Sequence, residues 1–468
     1  MTITRNLLIP CSGPGTRSIG YTKLHKTLIR VGNCAVIDHI INSYTDINKI
    51  FVMLGYQADY VREYLSHAGY NNIEYIEIEN WSEGQIPSFK QLPVHVFEHP
   101  IYYNACDNWS QEVPVVNDNT FFTCTPNNSE HYDTDGNLIY AGISFMQDAY
   151  EYYDCLQRSK HNRNDLLIMK ELNNLKHQPL DTWYDVGNRE SYQETKSHYN
   201  DSITVLDKKN QEVYFVNQRV VKLWDDKPYI ETNNTAFPHP SPVKCTTHGL
   251  SYPHVDGVVN VHSDQYASLF DSLSNLWNYC LVNNVPVYNK ELWQDKTWER
   301  FDMMCSIDEK YAGVITINGQ DIDCTKQFEN IDWKKLNWGI FGPCHGDLTL
   351  DNIIMSQDTI NYIDHRPGKV TDIFYDICKF YLSLFLNCEN LDNLDLEDDN
   401  IYLNIDYRSE SRIGYFRNSE IYKKYSDKIE LGVAVLCLCM APLNVNKELN
   451  HKLWLFGMLS LQKALEKS

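Results

Sequence analysis

Apolar residues in the first part of the chain fall into short runs separated by amphipathic segments. Asn6–Pro10 and Phe51–Tyr56 are almost wholly apolar, as expected for strands buried on both faces of a sheet. Ala35–Ile41 begins a helix after the first run, and Ala58–His67 is a helix after the second. This alternation predicts an α/β domain with a doubly wound, mostly parallel sheet of the Rossmann type.

A different pattern begins after the polar residues 196–202. Ser202–Leu206, Glu212–Val216 and Arg219–Trp224 are short β-patterned runs with polar turns between them, so they predict a small antiparallel sheet. From Ser263 onward the apolar residues recur mainly at helical spacing, which predicts a larger and mostly helical region. We therefore expect three structural regions, which comprise residues 1–198, 199–258 and 259–468.

Three segments of the last part carry the helical pattern most clearly: Ser263–Val282, Lys428–Leu443 and Leu453–Leu465. Between the first two lies the acidic run Asp392–Asp399, which we interpret as a solvated loop. The alternative of a metal site is less favoured, because like charges in series repel one another and stay hydrated.

Length and charge limit what the protein binds. The 468 residues suffice for two or three domains with their own cores, and neither a repeat nor a low-complexity tract interrupts them. The formal net charge of −21 argues against nucleic acid or an anionic membrane as partner, because phosphate backbones are bound by basic surfaces. An anionic substrate must therefore meet a locally basic site.

Cysteine usage and hydropathy bear on the compartment. The 14 cysteines form no CxxC pair, and several lie in apolar runs such as Leu436–Met440, where a thiol behaves as a small hydrophobe. This usage indicates a reducing compartment without a zinc site. The first residues lack a signal-peptide pattern, and Gly432–Pro442 is too short to span a bilayer. We expect a soluble, cytoplasmic protein without membrane insertion.

A local basic patch stands out against the acidic background. The first 37 residues contain five basic side chains and no Asp or Glu. Within them, Cys11–Arg17 is a glycine-rich loop after the first strand, and glycines at 13 and 15 would let backbone N–H groups approach a triphosphate. Arg17 and Lys26 would neutralise charge on those phosphates. The alternative is an ordinary strand-to-helix turn.

The segment Ile9–Ile37 resembles the nucleotidyltransferase family that makes sugar nucleotides and CDP-alcohols. The opening motif of that family is a strand, then GxGTR, then Pro-Lys before a Leu-rich strand, and here His25-Lys26 stands where Pro-Lys is found. The resemblance implies that Gly13, Gly15 and Thr16 bind an NTP such as CTP or UTP, and that Arg17 and Lys26 are catalytic. The sequence does not choose the base.

Two aspartates complete this first resemblance. Asp107 ends the apolar strand that starts at Ile101, where open α/β sheets place their ligands. Asp185 stands in Trp183-Tyr-Asp-Val-Gly187, which resembles the W-x-D-x-G segment of the same family. The resemblance implies that Asp107 and Asp185 jointly hold Mg²⁺, since a cation offsets the repulsion between two anionic reactants. Each aspartate alone is also compatible with a turn or helix cap.

A second motif lies near residue 350. In Pro343–Met355 an aspartate follows a histidine by two residues and an asparagine follows that aspartate by five; a second aspartate then closes an apolar run. This is the spacing of a phosphotransferase base and its metal ligands. Asp347 would accept the proton of a substrate hydroxyl, while Asn352 and Asp364 would bind Mg²⁺ through hard oxygen atoms. We expect His345 to hold the loop rather than to react.

HGDxxxxN followed by xxIDxR resembles the aminoglycoside phosphotransferase and choline kinase family over roughly residues 200–468. The resemblance implies a bilobal, protein-kinase-like α+β domain that uses ATP, with residues 199–258 as its N-lobe. Lys222 is the candidate for the lysine on the ATP phosphates, and Glu231 is the nearest candidate for its partner. A solvent-facing strand lysine is the alternative for Lys222, and Asp376 is expected to anchor the catalytic loop by hydrogen bonds.

The two halves suggest consecutive reactions. A kinase makes a phosphate monoester, and a nucleotidyltransferase uses such a monoester to attack an NTP. We expect a bifunctional enzyme that converts a small alcohol or sugar into its NDP-activated form for surface glycan or headgroup synthesis. Two alternatives remain open: only one domain is catalytic, or the chain is a nucleotide-responsive scaffold. Fold analogy does not name the substrate.

Overall fold

The computed structural model describes residues 4–125, 134–135, 137–160, 165–199, 211–224, 236–259, 263–356, 359–366, 370–386, 393–398, 400–444 and 446–467. The chain divides into two compact units. The first consists of Met1–Tyr229 with Ser241–His254, and the second consists of Ile230–Pro240 with Val255–Ser468.

The first unit contains six α-helices and sixteen strands among its described residues. Its helices are α1 (Val36–Asn42), α2 (Ala58–Ala68), α3 (Gln85–Phe89), α4 (Ala149–Arg158), α5 (Asp165–Met169) and α6 (Arg189–Ser197). Its strands are β1 (Arg5–Cys11), β2 (Arg30–Val31), β3 (Cys34–Ala35), β4 (Ile47–Leu54), β5 (Ile73–Glu77), β6 (Ile101–Asn104), β7 (Asn108–Trp109), β8 (Thr120–Cys124), β9 (Thr134–Asp135), β10 (Leu138–Met146), β11 (Lys176–Pro179), β12 (Tyr184–Asp185), β13 (Gln211–Val216), β14 (Arg219–Trp224), β15 (Lys244–Cys245) and β16 (Gly249–Pro253).

The described residues of the second unit form eight α-helices and nine strands. The helices are α7 (Ser263–Asn283), α8 (Lys296–Ile307), α9 (Cys324–Glu329), α10 (Trp333–Asn337), α11 (Ile373–Phe385), α12 (Tyr407–Arg417), α13 (Glu420–Met440) and α14 (Lys447–Glu466). The strands are β17 (Val258–Val259), β18 (Pro286–Tyr288), β19 (Val314–Ile317), β20 (Gln320–Asp323), β21 (Trp338–Ile340), β22 (Ile353–Met355), β23 (Ile360–Tyr362), β24 (Leu394–Glu397) and β25 (Asn400–Leu403).

The first unit is built on a mixed, mostly parallel sheet in the order β11-β8-β10-β6-β1-β4-β5, with β9 paired to β10. β1 pairs in parallel with both β4 and β6, and β4 pairs in parallel with β5. β10 runs antiparallel to β6 and β8. The predicted α/β class with a parallel-dominated sheet is therefore confirmed for this unit.

Both faces of that sheet are covered, which explains the continuous apolar runs. Leu7 and Ile9 of β1 pack into one core with Val52 of β4, whereas Leu8 and Met53 belong to the core on the opposite face. Because successive side chains of a strand point to opposite faces, a strand buried on both sides needs apolar residues at every position. The predicted strands and helices near residues 6, 36, 51 and 58 are all present.

The small sheet, β13-β14-β16-β15, belongs to the first unit. Tyr214 and Val221 share a core with Val61 and Leu65 of α2, and a fully buried side chain of this kind contributes roughly 1.5–3 kcal/mol. This grouping differs from the predicted boundary at residue 198, because the apolar face of the small sheet is covered by α2. The predicted first strand, Ser202–Leu206, lies outside the described residues.

The described part of the second unit is mainly helical, and the bulk of its core lies among α7, α8, α11, α13 and α14. The helix predicted at Ser263–Val282 is present as α7. The two closing helices are also present, but α13 starts at Glu420, before the predicted residue 428, and continues through a kink at Tyr425. No helix among the described residues is long and apolar enough to cross a membrane.

The acidic run at 392–399 is not a loop throughout. Within its described residues β24 pairs antiparallel with β25, so the expectation of a solvated loop is wrong for Leu394–Glu397. Leu394 is buried while Asp395 and Glu397 are exposed. This alternation of apolar and acidic side chains has the period of a half-buried strand, which a count of charges does not reveal.

His67 of α2 forms hydrogen bonds to the segment of the small sheet, and its titration is expected to make the stability depend on pH. Its two ring nitrogens lie 3.0 Å from Ser251 Oγ and 2.8 Å from Thr246 Oγ1. Burial, with the nearby Lys244 and Arg219, lowers the pKa of His67 from 6.5 to about 4. The folded protein therefore keeps this ring neutral over a range in which the unfolded chain protonates it, and stability is lost as pH falls from 6.5 to about 4.

A His67→Gln variant keeps a polar side chain that does not titrate. We expect its apparent Tm to fall less steeply than that of the wild type between pH 6.5 and 4, by an amount corresponding to roughly 1–3 kcal/mol. Thermal scans of both proteins across this range measure the difference in Tm. Other titrating groups are the same in both proteins, so their effect on Tm cancels in this difference. Parallel curves would show that His67 does not contribute to acid sensitivity.

Candidate active sites

The glycine-rich loop connects β1 to a short 3₁₀ helix at Lys26–Leu28. Gly15 has a positive φ of +56°, and a β-carbon there would lie 2.9 Å from Cδ of Lys26. A side chain at Gly15 is thus disfavoured both by the backbone and by the lysine packed against it. At Gly13, by contrast, nothing lies within 4 Å of the β-carbon position, so its surroundings are open.

His25 fixes this loop from the residue before Lys26. Its Nδ1 accepts a hydrogen bond from Thr27 N at 3.2 Å, so the ring proton is on Nε2, which donates to Gly13 O at 3.1 Å. Burial, then the Lys26 charge, lowers the pKa of His25 to about 3, which keeps this neutral tautomer. The His25 φ of −51° is also within the range of proline, the residue that the resemblance places here.

Lys26 and Asp107 form a buried ion pair, with Nζ 2.7 Å from Oδ2. Burial opposes ionisation of the Asp107 carboxyl, but Lys26 and then Arg17 outweigh it and hold the pKa of Asp107 below its usual value. Burial likewise opposes the Lys26 charge, yet Asp107 raises the pKa of Lys26. The structure therefore pairs Lys26 with Asp107 near Gly15, and the charge of the exposed Arg17 acts on both groups.

The two-stranded sheet β12-β7 brings Asp185 close to this ion pair. In this sheet Asp185 lies opposite Asn108, and Val186 N donates to Asp107 O at 2.8 Å. A β-carbon on Gly187 would lie 3.1 Å from Asp185 Oδ1 and 3.2 Å from Asp107 Oδ2. Both carboxylates therefore converge on one point, which only glycine leaves accessible.

Tyr21 is a neighbour of these carboxylates that the sequence did not single out. Its hydroxyl donates to Val186 O, and its ring stacks on Tyr192 at 5.2 Å. Burial, followed by the charges of Asp185 and Asp107, raises the pKa of Tyr21 to about 12. The position of the tyrosine between the loop and Lys26 was visible in the sequence, but nothing there showed that it contacts the segment of Asp185.

The second motif forms a loop anchored by α11. Asp376 accepts hydrogen bonds from His345 N at 2.5 Å and Gly346 N at 2.9 Å, so its expected anchoring role is confirmed. Burial raises the pKa of Asp376 to about 7 despite these bonds. His345 is buried and its Nε2 lies 2.9 Å from Ile363 O, which matches its expected holding role.

Asn352 and Asp364 are brought together by the hairpin β22-β23. Ile363 N donates to Asn352 O at 3.0 Å, and Asp364 follows at once with a φ of +60°, which a short polar side chain tolerates. Asn352 Nδ2 donates to Asp347 O at 2.8 Å, so the amide oxygen of Asn352 is left for another partner. Asp347, Asn352 and Asp364 thus lie on one connected segment.

Each oxygen of the Asp347 carboxylate contacts a cation. Oδ1 lies 3.1 Å from Lys379 Nζ, and Oδ2 lies 2.7 Å from Arg366 Nη2. Burial raises the pKa of Asp347, but Lys379 and Arg366 outweigh it and lower the pKa to about 2. The sequence motif indicated Asp347 but not Lys379. The sequence shows that Lys379 follows Asp376 by three residues and therefore shares its face of the helix, but it does not show the contact with Asp347.

The ligand sets suit Mg²⁺. Among the described residues no cluster brings together three or more His, Cys, Asp or Glu side chains. Asp107 with Asp185, and Asn352 with Asp364, would each supply only two hard oxygen donors. Mg²⁺ accepts such incomplete sets, because it keeps several waters and binds substrate phosphates besides.

Lys222 lies on β14 in the first unit and is only 3% exposed. Its Nζ is 5.2 Å from the centroid of the Tyr252 ring. The alternative of a solvent-facing strand lysine therefore does not match the structure. Glu231, the expected partner of Lys222, lies outside the described residues, and ATP binding by Lys222 stays a prediction.

A cavity of 610 Å³ adjoins the loop of the second motif in the second unit. Gly346 and Arg366 form part of its wall, together with Tyr375 and Lys296. Lys296 Nζ donates to the Tyr375 hydroxyl at 2.9 Å. Residues Glu291–Asp295 at its edge form a π-helical turn, a feature often found at functional sites.

No family model matches the chain, and no curated protein matches it. Among solved structures, a protein described as a glucose-1-phosphate thymidylyltransferase from Bacillus anthracis is 14% identical, with 44% of this chain and 98% of that chain covered and a TM-score of 0.36.

Two further solved structures are similar over the same share of the chain. A CTP:phosphocholine cytidylyltransferase from Streptococcus pneumoniae is 16% identical, with 42% of this chain and 99% of that chain covered and a TM-score of 0.35. An inositol-1-phosphate CTP transferase from T. maritima is 12% identical, with 43% and 99% covered and a TM-score of 0.34. At these identities the activity must be argued from the sites themselves.

Gly13 provides a direct test of nucleotide contact. Because the space around it is open, Gly13→Ala should fold normally but bring a methyl group against a triphosphate lying on the loop. We expect its affinity for the preferred NTP, measured by calorimetry with Mg²⁺ and each of CTP, UTP, GTP and dTTP, to fall at least roughly tenfold, a loss of about 1.4 kcal/mol.

Gly20→Ala is the matched control, since its β-carbon would also meet nothing within 4 Å. This variant should bind like the wild type. Equal affinity of Gly13→Ala and wild type, or no binding of any NTP by the wild type, would contradict the assignment of this loop to nucleotide phosphates.

Proposed function

We propose that the chain is a bifunctional transferase. The second unit, with Asp347, would phosphorylate a small hydroxylated metabolite from ATP. The first unit would then transfer a nucleotidyl group from an NTP to that phosphate monoester and release pyrophosphate. The product of the first reaction is the substrate of the second, which gives the combination in one chain a chemical reason.

The observation that carries the nucleotidyl transfer is the convergence of Asp107 and Asp185 on Gly187 beside Lys26. The two carboxylates would hold Mg²⁺, which offsets the repulsion between an anionic attacker and an anionic NTP. Lys26 and Arg17 would stabilise charge on the transferred phosphate. Gly13, Gly15 and Thr16 would present backbone N–H groups to the remaining phosphates.

In this proposal the ion pair between Lys26 and Asp107 is exchanged for contacts with the substrate and the metal. When an NTP binds, the Lys26 ammonium would turn from the carboxylate to a phosphate oxygen, and Asp107 would turn to the cation. Such an exchange keeps every buried charge paired in both states, which limits the desolvation cost.

The kinase step is supported by the segment that joins Asp347, Asn352 and Asp364. Asn352 and Asp364 would hold Mg²⁺, whose charge offsets that of the ATP phosphates. Asp347 would orient the acceptor hydroxyl and accept its proton late, because a loose transition state asks little of a base whose pKa is about 2. The cavity beside Arg366 and Tyr375 is the proposed acceptor site.

A second candidate is a nucleotidyltransferase whose other unit is not catalytic. It is favoured by one observation: the small sheet that carries Lys222 shares the core of the first unit. A lysine held there for structural reasons would leave the proposed kinase without its phosphate-binding lysine. The two candidates differ in whether ATP phosphorylates any acceptor.

The test uses the full chain and two assays. Phosphate transfer from ATP is measured with a panel of sugars, aminoalcohols and polyols that includes choline and inositol, and pyrophosphate release is then measured with each NTP. We expect Asp347→Asn to lower the first rate by at least roughly 10²-fold and to spare the second, and Asp107→Asn to do the reverse.

The controls are the same variants in the opposite assay. When the phosphate monoester is supplied directly, Asp347→Asn should release pyrophosphate at the wild-type rate. Pyrophosphate release without any phosphate transfer by the wild type would leave only the second candidate, and the absence of both activities would refute the proposal.

A further inference from the structure

Helix α11 carries two charged residues in an otherwise uncharged sequence, Asp376 and Lys379. Asp376 is buried, as are its apolar neighbours Ile377, Cys378 and Phe380. Lys379 is nearly so, with 12% of its side chain exposed. A lysine in such a helix destabilises the fold unless an acidic or polar partner satisfies its charge. The partner of Lys379 therefore indicates the role of this lysine.

The partner of Lys379 is not the acid on its own helix. Asp376 accepts two hydrogen bonds from the backbone of the catalytic loop. Lys379 instead reaches Asp347, with Nζ 3.1 Å from Oδ1, and this contact raises the pKa of Lys379 despite burial. One face of α11 thus holds the loop backbone with one residue and the loop carboxylate with the other.

The two cations on Asp347 differ in their freedom to move. The Arg366 side chain, on Oδ2, is 48% exposed, whereas that of Lys379, on Oδ1, is 12% exposed. An exposed arginine pays little to leave a carboxylate, because water solvates both groups. If the Lys379 side chain moved away from Asp347, its largely buried ammonium would be left without this partner, which is far more costly.

We propose that Lys379 is a positioning residue of the proposed phosphotransferase. Its ammonium fixes Oδ1 of Asp347, so that Oδ2 faces the acceptor hydroxyl when Arg366 moves aside. The acceptor oxygen then bonds to the γ-phosphorus of ATP, the bond from that phosphorus to the bridging oxygen of ADP breaks, and the hydroxyl proton passes to Oδ2. This inference rests on the proposed kinase activity of the second unit.

Two substitutions of Lys379 in the full chain test the proposal. Lys379→Met keeps length and apolar volume but removes the charge, so Asp347 loses its fixed orientation. We expect its kcat for phosphate transfer to fall on the order of 10²-fold, as for other small misplacements of a reacting group, with the KM for ATP within about twofold of wild type. Lys379→Arg should restore most of the rate, because it restores a cation at Oδ1.

Arg366→Met is the matched variant on the other oxygen. If Arg366 only occupies Oδ2 until the acceptor arrives, its loss should lower kcat by less than about tenfold and change mainly the KM for the acceptor. A larger fall in kcat for Arg366→Met than for Lys379→Met would overturn the assignment of the fixed and the displaceable cation.

A double-mutant cycle separates positioning from general support of the fold. In an Asp347→Asn background, Lys379→Met should cost little further rate, since the carboxylate that it orients is already gone. Pyrophosphate release by the first unit, measured in the same protein, should stay unchanged. An additive loss in the double variant, or an unstable protein that Lys379→Arg does not rescue, would make Lys379 merely structural.

Failure of this inference is distinguishable from failure of the proposed function. A wild type that phosphorylates an acceptor, with Lys379→Met at full kcat, overturns the positioning role and leaves the kinase intact. A wild type that phosphorylates no member of the panel overturns both.

Discussion

Both candidate sites depend on an aspartate that is kept ionised while nearly buried. Asp107 is held by Lys26 at 2.7 Å, and Asp347 is held by Lys379 at 3.1 Å. Burial alone would raise the pKa of these carboxyls, and the nearby cations outweigh that effect. Other side chains fix the loop next to each ion pair.

In each case a side chain fixes the loop through hydrogen bonds to backbone atoms. His25 holds the carbonyl of Gly13, and Asp376 holds two backbone N–H groups at His345 and Gly346. Gly346 has a φ of +84°, and a β-carbon there would lie 2.9 Å from Cβ of Arg366. The loop of the second motif can therefore turn tightly only because this residue is glycine.

Much of this arrangement was predictable from sequence where local pattern decides it. The strands of the first unit are short apolar runs bounded by glycine and polar residues, and Asp347, Asn352 and Asp364 stand at spacings that a hairpin brings together. Contacts across the fold were not predictable. A lysine in an apolar helix is compatible with an aliphatic stem that reaches solvent, so Lys379 shows its role only when Asp347 is found beside it.

The small sheet shows the same limit at the scale of domains. The alternating residues of β13 and β14 predict a half-buried sheet but do not tell which element covers it. Its cover is α2, some 150 residues earlier in the chain, through side chains such as Val61 and Tyr64. Residues far apart in the sequence are neighbours in space here, and the grouping of the small sheet with the first unit differs from the predicted boundary at residue 198.

The order in which the chain visits its two units has an evolutionary and practical consequence. It passes from the first unit to the second at Ile230, returns at Ser241 and leaves again at Val255. Because of this double crossing, a single cut cannot yield two intact units. A fragment ending near residue 198, for example, would expose the apolar side of α2 to water and favour aggregation. Recombination of this gene with others would have to exchange both units together, or would have to replace the segments by which the chain passes between the units.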